Sequence, residues 1–184
     1  MSAIAPLHHW TRAEYERMVE SGAFKPGARF ELLDGEIIAM SPQGPQHVTS
    51  VQLVAEALRE RLPPGCVVRV QAPIALDDDS EPEPDICVVR GQIRDYARSH
   101  PSAALLVIEV ADSSLEHDRT DKARAYARNE IPEYWVINVK ERIIEVYTQP
   151  WPTGYGCKTI RSEQDFITSA SVAVVQLAVV ELLP

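Results

Sequence analysis

Apolar and polar positions along the chain fall into blocks of helical and of strand period. Thr11 followed by Glu14 has capping-box spacing and predicts a short helix through about Ser21, with Gly22 as its stop. Phe30-Glu31-Leu32-Leu33-Asp34-Gly35-Glu36-Ile37-Ile38 predicts a hairpin that turns at Asp-Gly. A two-residue loop sets Leu33 against Glu36, Leu32 against Ile37 and Glu31 against Ile38. Side chains alternate, so Phe30, Leu32, Ile37 and Ala39 share a wholly apolar face. Glu31, Leu33, Glu36 and Ile38 share the other, which carries two carboxylates.

From His47 to Leu62, Val48, Val51, Val54, Ala55, Leu58 and Leu62 recur at spacings of a helical stripe, ended by Pro63-Pro64-Gly65. Strands are expected at about Val67–Val70, Ile74–Leu76, Ile86–Val89 and Leu105–Val110. A further helix runs from about His117 to Asn129 and stops before Ile131-Pro132. Tyr134–Asn138 and Ile143–Thr148 pair about a turn at Lys140-Glu141, with shorter strands completing residues 149–184. The order α, ββ, α, several strands, α, ββ predicts an α/β chain with a mixed sheet, without regular βαβ alternation. No internal repeat or low-complexity stretch interrupts it, and the prolines fall mostly between elements, so residues 1–184 read as one domain.

Composition sharpens this picture. With 45% apolar and 24% charged residues the chain is ordinary globular protein, not a disordered one. The apolar run Ala173–Val180, broken by Gln176, is far short of the roughly 20 residues that span a membrane. MSAIAPLHHW has neither a basic n-region nor a signal-type apolar segment, so a cytoplasmic location is expected. Three widely spaced cysteines, Cys66, Cys87 and Cys157, argue against a disulfide framework or a zinc knuckle. Charge complicates matters: 18 Lys+Arg against 27 Asp+Glu gives −9, which disfavours phosphate binding unless some of the acids face a cation.

Three stretches carry candidate chemistry. Asp85 opens an apolar strand directly after Pro82-Glu83-Pro84, and the acidic turn before it, Asp77-Asp78-Asp79-Ser80-Glu81, reads as a solvated loop. Glu109 lies inside Leu105–Ala111, an unbroken apolar run that predicts a central strand buried on both faces. A carboxylate there is costly unless paired or metal-bound. Asp118 and Lys122 are spaced i,i+4, and Lys122 shares a face with Ala125 and Tyr126, which aims it at the sheet. Singly, each has an ordinary reading: a loop aspartate, a buried salt bridge, a solvated Asp–Lys pair. Together, two acids on adjacent strands and a lysine aimed at them are the minimum for metal-assisted phosphodiester hydrolysis. Two carboxylates ~5 Å apart repel by on the order of 3 kcal/mol at an effective dielectric of 20, so one pKa should rise unless a cation intervenes. Carboxylates, a main-chain carbonyl and water suit Mg²⁺ or Mn²⁺ over zinc.

These residues resemble the Uma family of restriction endonucleases, a branch of the PD-(D/E)XK nuclease superfamily. The matching stretches are Phe30–Glu36, the His47 helix start, Pro84-Asp85, Ile108-Glu109-Val110 with Ser113-Ser114, Asp118 through Lys122, Tyr126-Ala127 and Pro132–Trp135, spanning about residues 10–148. The resemblance implies a restriction-endonuclease-like core, a central mixed sheet flanked by helices with metal-binding acids on adjoining strands. It implies that Asp85 and Glu109 bind the metal. The third motif position falls on Ala111, so the lysine is displaced onto the following helix as Lys122. Glu31 matches an early acid that touches the metal through water. Asn138 stands where an aspartate is expected, a peripheral departure.

Other features are weaker. Gly154–Thr159 lacks phosphate-loop spacing and reads as a strand or hairpin loop. His8-His9 reads as flexible tail, and His100 and His117 carry no motif. His47 is a helix-start residue that can approach the site, and Ser113-Ser114 read as helix caps without a base partner. The sequence therefore points to a Mg²⁺-dependent endonuclease on DNA. Asp85, Glu109, Lys122 and Glu31 are the candidate catalytic residues, with His47 and Asp118 as auxiliaries. Metal-free DNA binding should be weak, so activity should be low unless a basic face, a dimer or a partner supplies the grip; a homo-oligomer, namely a homodimer, is expected. The rival is a nuclease fold retained as a binding or assembly module, since no separate DNA-reading motif is present. A dimer-forming structural protein would need an apolar patch, for which Ala173–Val180 is the one candidate segment.

Overall fold

Asp34 and Gly35 both adopt positive φ, 50° and 74°, the backbone that a two-residue hairpin turn requires. In this computed structural model, which describes residues 7–172 and 176–184, that turn joins β1 (Phe30–Leu33) to β2 (Glu36–Ala39). The register is the expected one, Leu33 opposite Glu36 and Glu31 opposite Ile38. The carboxylate-bearing face is the one turned inward: Glu31 and Leu33 are buried and Ile38 packs against the core, while Glu36 at the turn is exposed. Ahead of the hairpin, α1 (Arg12–Glu20) opens on the Thr11–Glu14 capping box.

The main sheet has six strands in sequence order: β3 (Cys66–Val70), β4 (Ile86–Arg90), β5 (Leu106–Ala111), β6 (Glu133–Asn138), β7 (Ile143–Trp151) and β8 (Gly154–Ser162). Every neighbouring pair is antiparallel except β5 and β6, which are parallel. A parallel pair needs a crossover, and the helical run from Leu115 to Arg128 provides it. One face of the sheet is covered by α2 (Pro45–Arg61), whose Val51, Val54 and Leu58 pack on Ile86, Val88, Ile108 and Trp135. The other is covered by the crossover, the hairpin and the segment at Ile74, through Tyr126, Leu33 and Ile74 on Cys87, Val107, Tyr134 and Val136. Glu109 alternates with Val110 and so belongs with Val107, under the crossover.

Several expectations change. Val48, counted in the α2 stripe, is 36% exposed, so the buried stripe begins at Ser50 and Val51. Ile74–Leu76 is buried but joins no sheet. Its N–H groups bond individually to Pro82 O, Pro101 O and Ser80 O, the surrounding prolines having no N–H for a ladder. The acidic stretch Asp77–Glu81 is not a solvated loop. Arg128 bonds Asp34 at 2.7 Å and Asp77 at 2.8 Å, and Asn129 bonds Asp77 at 2.7 Å. Burial raises the Asp77 carboxyl, but the Asn129 and Arg128 hydrogen bonds outweigh it and hold it at about 2. His9 is likewise no loose tail residue, lying 3.1 Å from Asp79.

Gly154–Thr159 lies in the edge strand β8. Of Ala173–Val180, residues 173–175 lie outside the described residues, and Leu177 and Val179 are core. Short strands β9 (Phe166–Thr168) and β10 (Gln176–Ala178) pair beside that core. All three cysteines are free. Among the described residues no helix is long and apolar enough to cross a membrane.

Glu145 on β7 offers a stability test of this sheet face. Its buried carboxylate accepts from Arg119 Nε at 3.1 Å, Lys158 Nζ at 2.8 Å and the Tyr147 hydroxyl at 2.6 Å. Burial raises the carboxyl, yet these partners pull it down to about 2, from an ordinary 4.5. A carboxyl lowered on folding stabilises the fold above its unfolded pKa and loses that contribution as pH falls through the folded one. Wild type is therefore expected to exceed Glu145→Gln in urea stability above pH 4.5, with the gap narrowing as pH falls toward 2. An unchanged gap at both ends would exclude this ion-pair cluster as a contributor.

Candidate active site

The β4–β5 ladder ends at Ile86 opposite Ile108, and beyond it two acids take over the backbone donors. Asp85 N–H donates to Glu109 Oε2 at 3.2 Å, and Val110 N–H donates to Asp85 Oδ2 at 2.9 Å. The stiff Pro82-Glu83-Pro84 approach delivers Asp85 to this position, and its carbonyl accepts Gln71 N–H at 2.9 Å. The Gln71 side-chain amide donates to Asp85 Oδ1 at 3.2 Å, and His47 Nε2 lies 3.0 Å from Oδ2.

Above Glu109 the crossover changes its winding. One α turn (Leu115–His117) gives way to a π turn at Asp118–Lys122 before α geometry resumes over Ala123–Arg128. Such turns are uncommon and concentrate at functional positions. This one buries both Asp118 and Lys122, and the Asp118 carbonyl accepts the Tyr134 hydroxyl at 3.0 Å. Lys122 Nζ reaches Glu109 Oε1 at 3.0 Å and Glu31 Oε2 at 3.2 Å. Tyr126, one turn on, donates its hydroxyl to the same Glu109 oxygen at 2.9 Å. Glu31 also accepts Glu83 N–H at 3.1 Å, and His117 Nε2 lies 3.9 Å from its other oxygen. Asp118 and Lys122, spaced i,i+4, are thus both buried, and Lys122 pairs with Glu109 and Glu31 instead of with Asp118. Asp118 accepts the Ser114 hydroxyl at 2.6 Å, so Ser114 serves that carboxylate and makes no cap bond.

Electrostatics separate these groups. Burial raises Asp85, but the His47 hydrogen bond and charge, with Val110 N–H and Gln71, hold it below the ordinary carboxylate range. Burial pushes Glu109 above that range; Lys122 opposes the shift, while Asp85, Asp118 and Glu31 add to it. Burial likewise raises Asp118. Burial disfavours the Lys122 ammonium, but Glu109, Glu31 and Asp118 more than reverse this, so Lys122 is a fixed cation. Three carboxyls, Glu109, Glu31 and Asp118, therefore hold one permanent positive charge.

Asp85, Glu109, Lys122, Glu31, His47 and Asp118 all line one cavity of about 250 Å³, together with the 38–44 segment. Among the described residues no three His, Cys, Asp or Glu side chains are placed to enclose a metal. Two carboxylates with water completing the shell are the donor set of Mg²⁺, which keeps several waters, and not of zinc. Two buried nitrogens beside the acids, His47 Nδ1 and His117 Nε2, have no hydrogen-bond partner among the described residues. That combination fits a hydrated cation.

Sequence reasoning missed Gln71, Tyr126 and His117. Tyr126 had a signal, its i+4 spacing from Lys122. Gln71 had none: its role depends on a positive φ of 47° just past β3. Ala111 is buried and apolar, as its lack of a lysine role requires, and Asn138 accepts Glu141 N–H at 3.1 Å within a turn.

A mixed sheet that brings two acids to one end beneath a lysine-bearing crossover is a nuclease-like fold. The family profile described as "Putative restriction endonuclease", Uma2, matches residues 12–180, and the chain belongs to that family. The fold is similar to the crystal structure of a "putative nuclease belonging to DUF820" from Anabaena variabilis ATCC 29413. That match has a TM-score of 0.73 at 16% identity and covers 96% of this chain and 97% of that one. No curated protein matches the chain.

Proposed function

We propose that this chain is a Mg²⁺-dependent endonuclease that hydrolyses phosphodiester bonds of DNA. The observation that carries the reading is the shared Glu109 carboxylate, with Lys122 Nζ at 3.0 Å on one oxygen and Asp85 N–H at 3.2 Å on the other. Asp85 and Glu109 would hold Mg²⁺ or Mn²⁺. When bound, the ion polarises the scissile phosphate and lowers the pKa of its water.

The chain's own groups do the rest. His47, Gln71 and Val110 N–H keep Asp85 ionised and oriented. Tyr126 fixes the Glu109 oxygen that Lys122 also holds. Lys122, a permanent cation, does not act as a base; it orients the attacking water or balances charge developing on phosphate. Glu31 is a second carboxylate on the Lys122 ammonium and is the outer acid. With a net charge of −9, productive binding of DNA would draw on a dimer or a local basic face.

One observation favours a second reading, a binding or assembly module without turnover. Every carboxylate oxygen of Asp85 and Glu109 already meets a protein partner. Incubating the protein with supercoiled plasmid separates the two. The endonuclease nicks or linearises DNA with Mg²⁺ and stops on chelation, whereas the module leaves plasmid intact under both conditions.

A further inference from the structure

A larger cleft, about 870 Å³, opens on the other side of β1. Alternation along β1 sends Glu31 into the candidate active site and Phe30 into this cleft. Glu83 likewise serves both: its N–H holds Glu31, and its side chain pairs with Arg29 on the cleft wall. The two cavities are thus a single strand apart.

The cleft has three properties of a built site. Its wall is aromatic: Phe24 and Phe30, both half-buried, stack at 4.5 Å, and Tyr96 lines the same space. Its inner surface presents Glu81, only 5% exposed, whose Oε2 has no hydrogen-bond donor among the described residues. A buried oxygen left without a donor costs free energy that a bound ligand would recover. Its rim carries Lys25 and Arg98, neither in an ion pair among the described residues, whereas Arg12 and Arg29 are engaged by Glu16 and Glu83. Burial and the adjoining Glu16 carboxyl, which shares a proton with it, raise Glu81 to about 7, with the Arg12 guanidinium opposing the shift.

We propose that this cleft holds an unpaired nucleobase of the substrate, its ring against the Phe24–Phe30 wall and an exocyclic amino group donating to Glu81 Oε2. Lys25 and Arg98 then face the phosphate backbone as it continues toward the neighbouring cavity. Base–aromatic stacking accepts any base, and the acceptor at Glu81 selects those with an amino group, which adenine, cytosine and guanine carry and uracil and thymine lack. The inference rests on the nuclease reading and deepens it: the substrate is single-stranded or opened at the cleavage point.

The test is calorimetric titration of the metal-free protein with AMP, CMP, GMP and UMP, which needs no turnover. The amino-bearing nucleotides are expected to bind about 10-fold more tightly than UMP. Glu81→Ala should bring the four together, and Phe24→Ala should weaken all four by about 10-fold or more. No binding at millimolar nucleotide, or a base preference untouched by Glu81→Ala, overturns the proposal. Should Glu81→Ala fail to fold, unchanged affinity in Phe24→Ala overturns it equally. The plasmid assay is independent of these titrations, so nicking without nucleotide binding sinks the cleft alone. Nucleotide binding with this preference but without nicking sinks the nuclease reading and leaves a nucleotide site.

Discussion

Lys122→Met is expected to destabilise the fold by about 3–5 kcal/mol, the range for breaking a buried ion pair from one side, and to abolish Mg²⁺-dependent cleavage. Lys122 is 5% exposed and is the only lysine or arginine in contact with Glu109 and Glu31 among the described residues. Removing it leaves two buried carboxylates without their counter-charge, with Asp85 and Asp118 adding to the repulsion. A second substitution, Glu109→Gln, removes one of those charges and should restore much of the stability while restoring no activity. Urea denaturation of the two single variants and the double variant measures the coupling. A Lys122→Met protein within about 1 kcal/mol of wild type would show that the pair is not held as described.

Asp85→Asn is the complementary case, expected to lose at least about 10²-fold in Mg²⁺-dependent cleavage, as when a preorganised electrostatic group is removed. Its Tm should stay within about 3 °C of wild type, because an amide oxygen can still accept Val110 N–H and little packing volume changes. Activity is thus lost at both residues, and stability only at Lys122. Full activity of purified, folded Asp85→Asn would remove Asp85 from the proposed chemistry.

Much of this site could be read from local patterns. The Asp-Gly turn and strict alternation set the hairpin register, and with it the shared face of Glu31 and Leu33. The apolar run around Glu109 marked a strand buried on both faces, and helical spacing from Tyr126 aimed Lys122 at it. What stayed hidden depends on distant partners or on backbone detail. Arg128 and Asn129 claim Asp77 from about 50 residues away, so an acidic turn that looked solvated is an ion-pair staple. The π turn leaves no distinct periodic signature over so few residues, and Gln71 acts through a left-handed backbone that its side chain does not demand. The proline-flanked Ile74–Leu76 had strand composition, but the surrounding prolines denied it ladder donors.

The acidic balance of the chain also takes on a different meaning. Five of its carboxyls, Glu31, Asp85, Glu109, Asp112 and Asp118, line one small cavity with a single lysine. Asp34, Asp77 and Glu145 are spoken for by arginines, and Glu145 also by Lys158. The excess that seemed to argue against a phosphate substrate is in part the charge that a divalent cation would offset.

Calorimetric titration of Mn²⁺ into wild type and Asp85→Asn decides whether Asp85 holds a metal. Saturable binding to wild type is expected, lost or weakened at least about 10-fold in the variant. Equal binding by both proteins, or none by either, would contradict a metal held between Asp85 and Glu109.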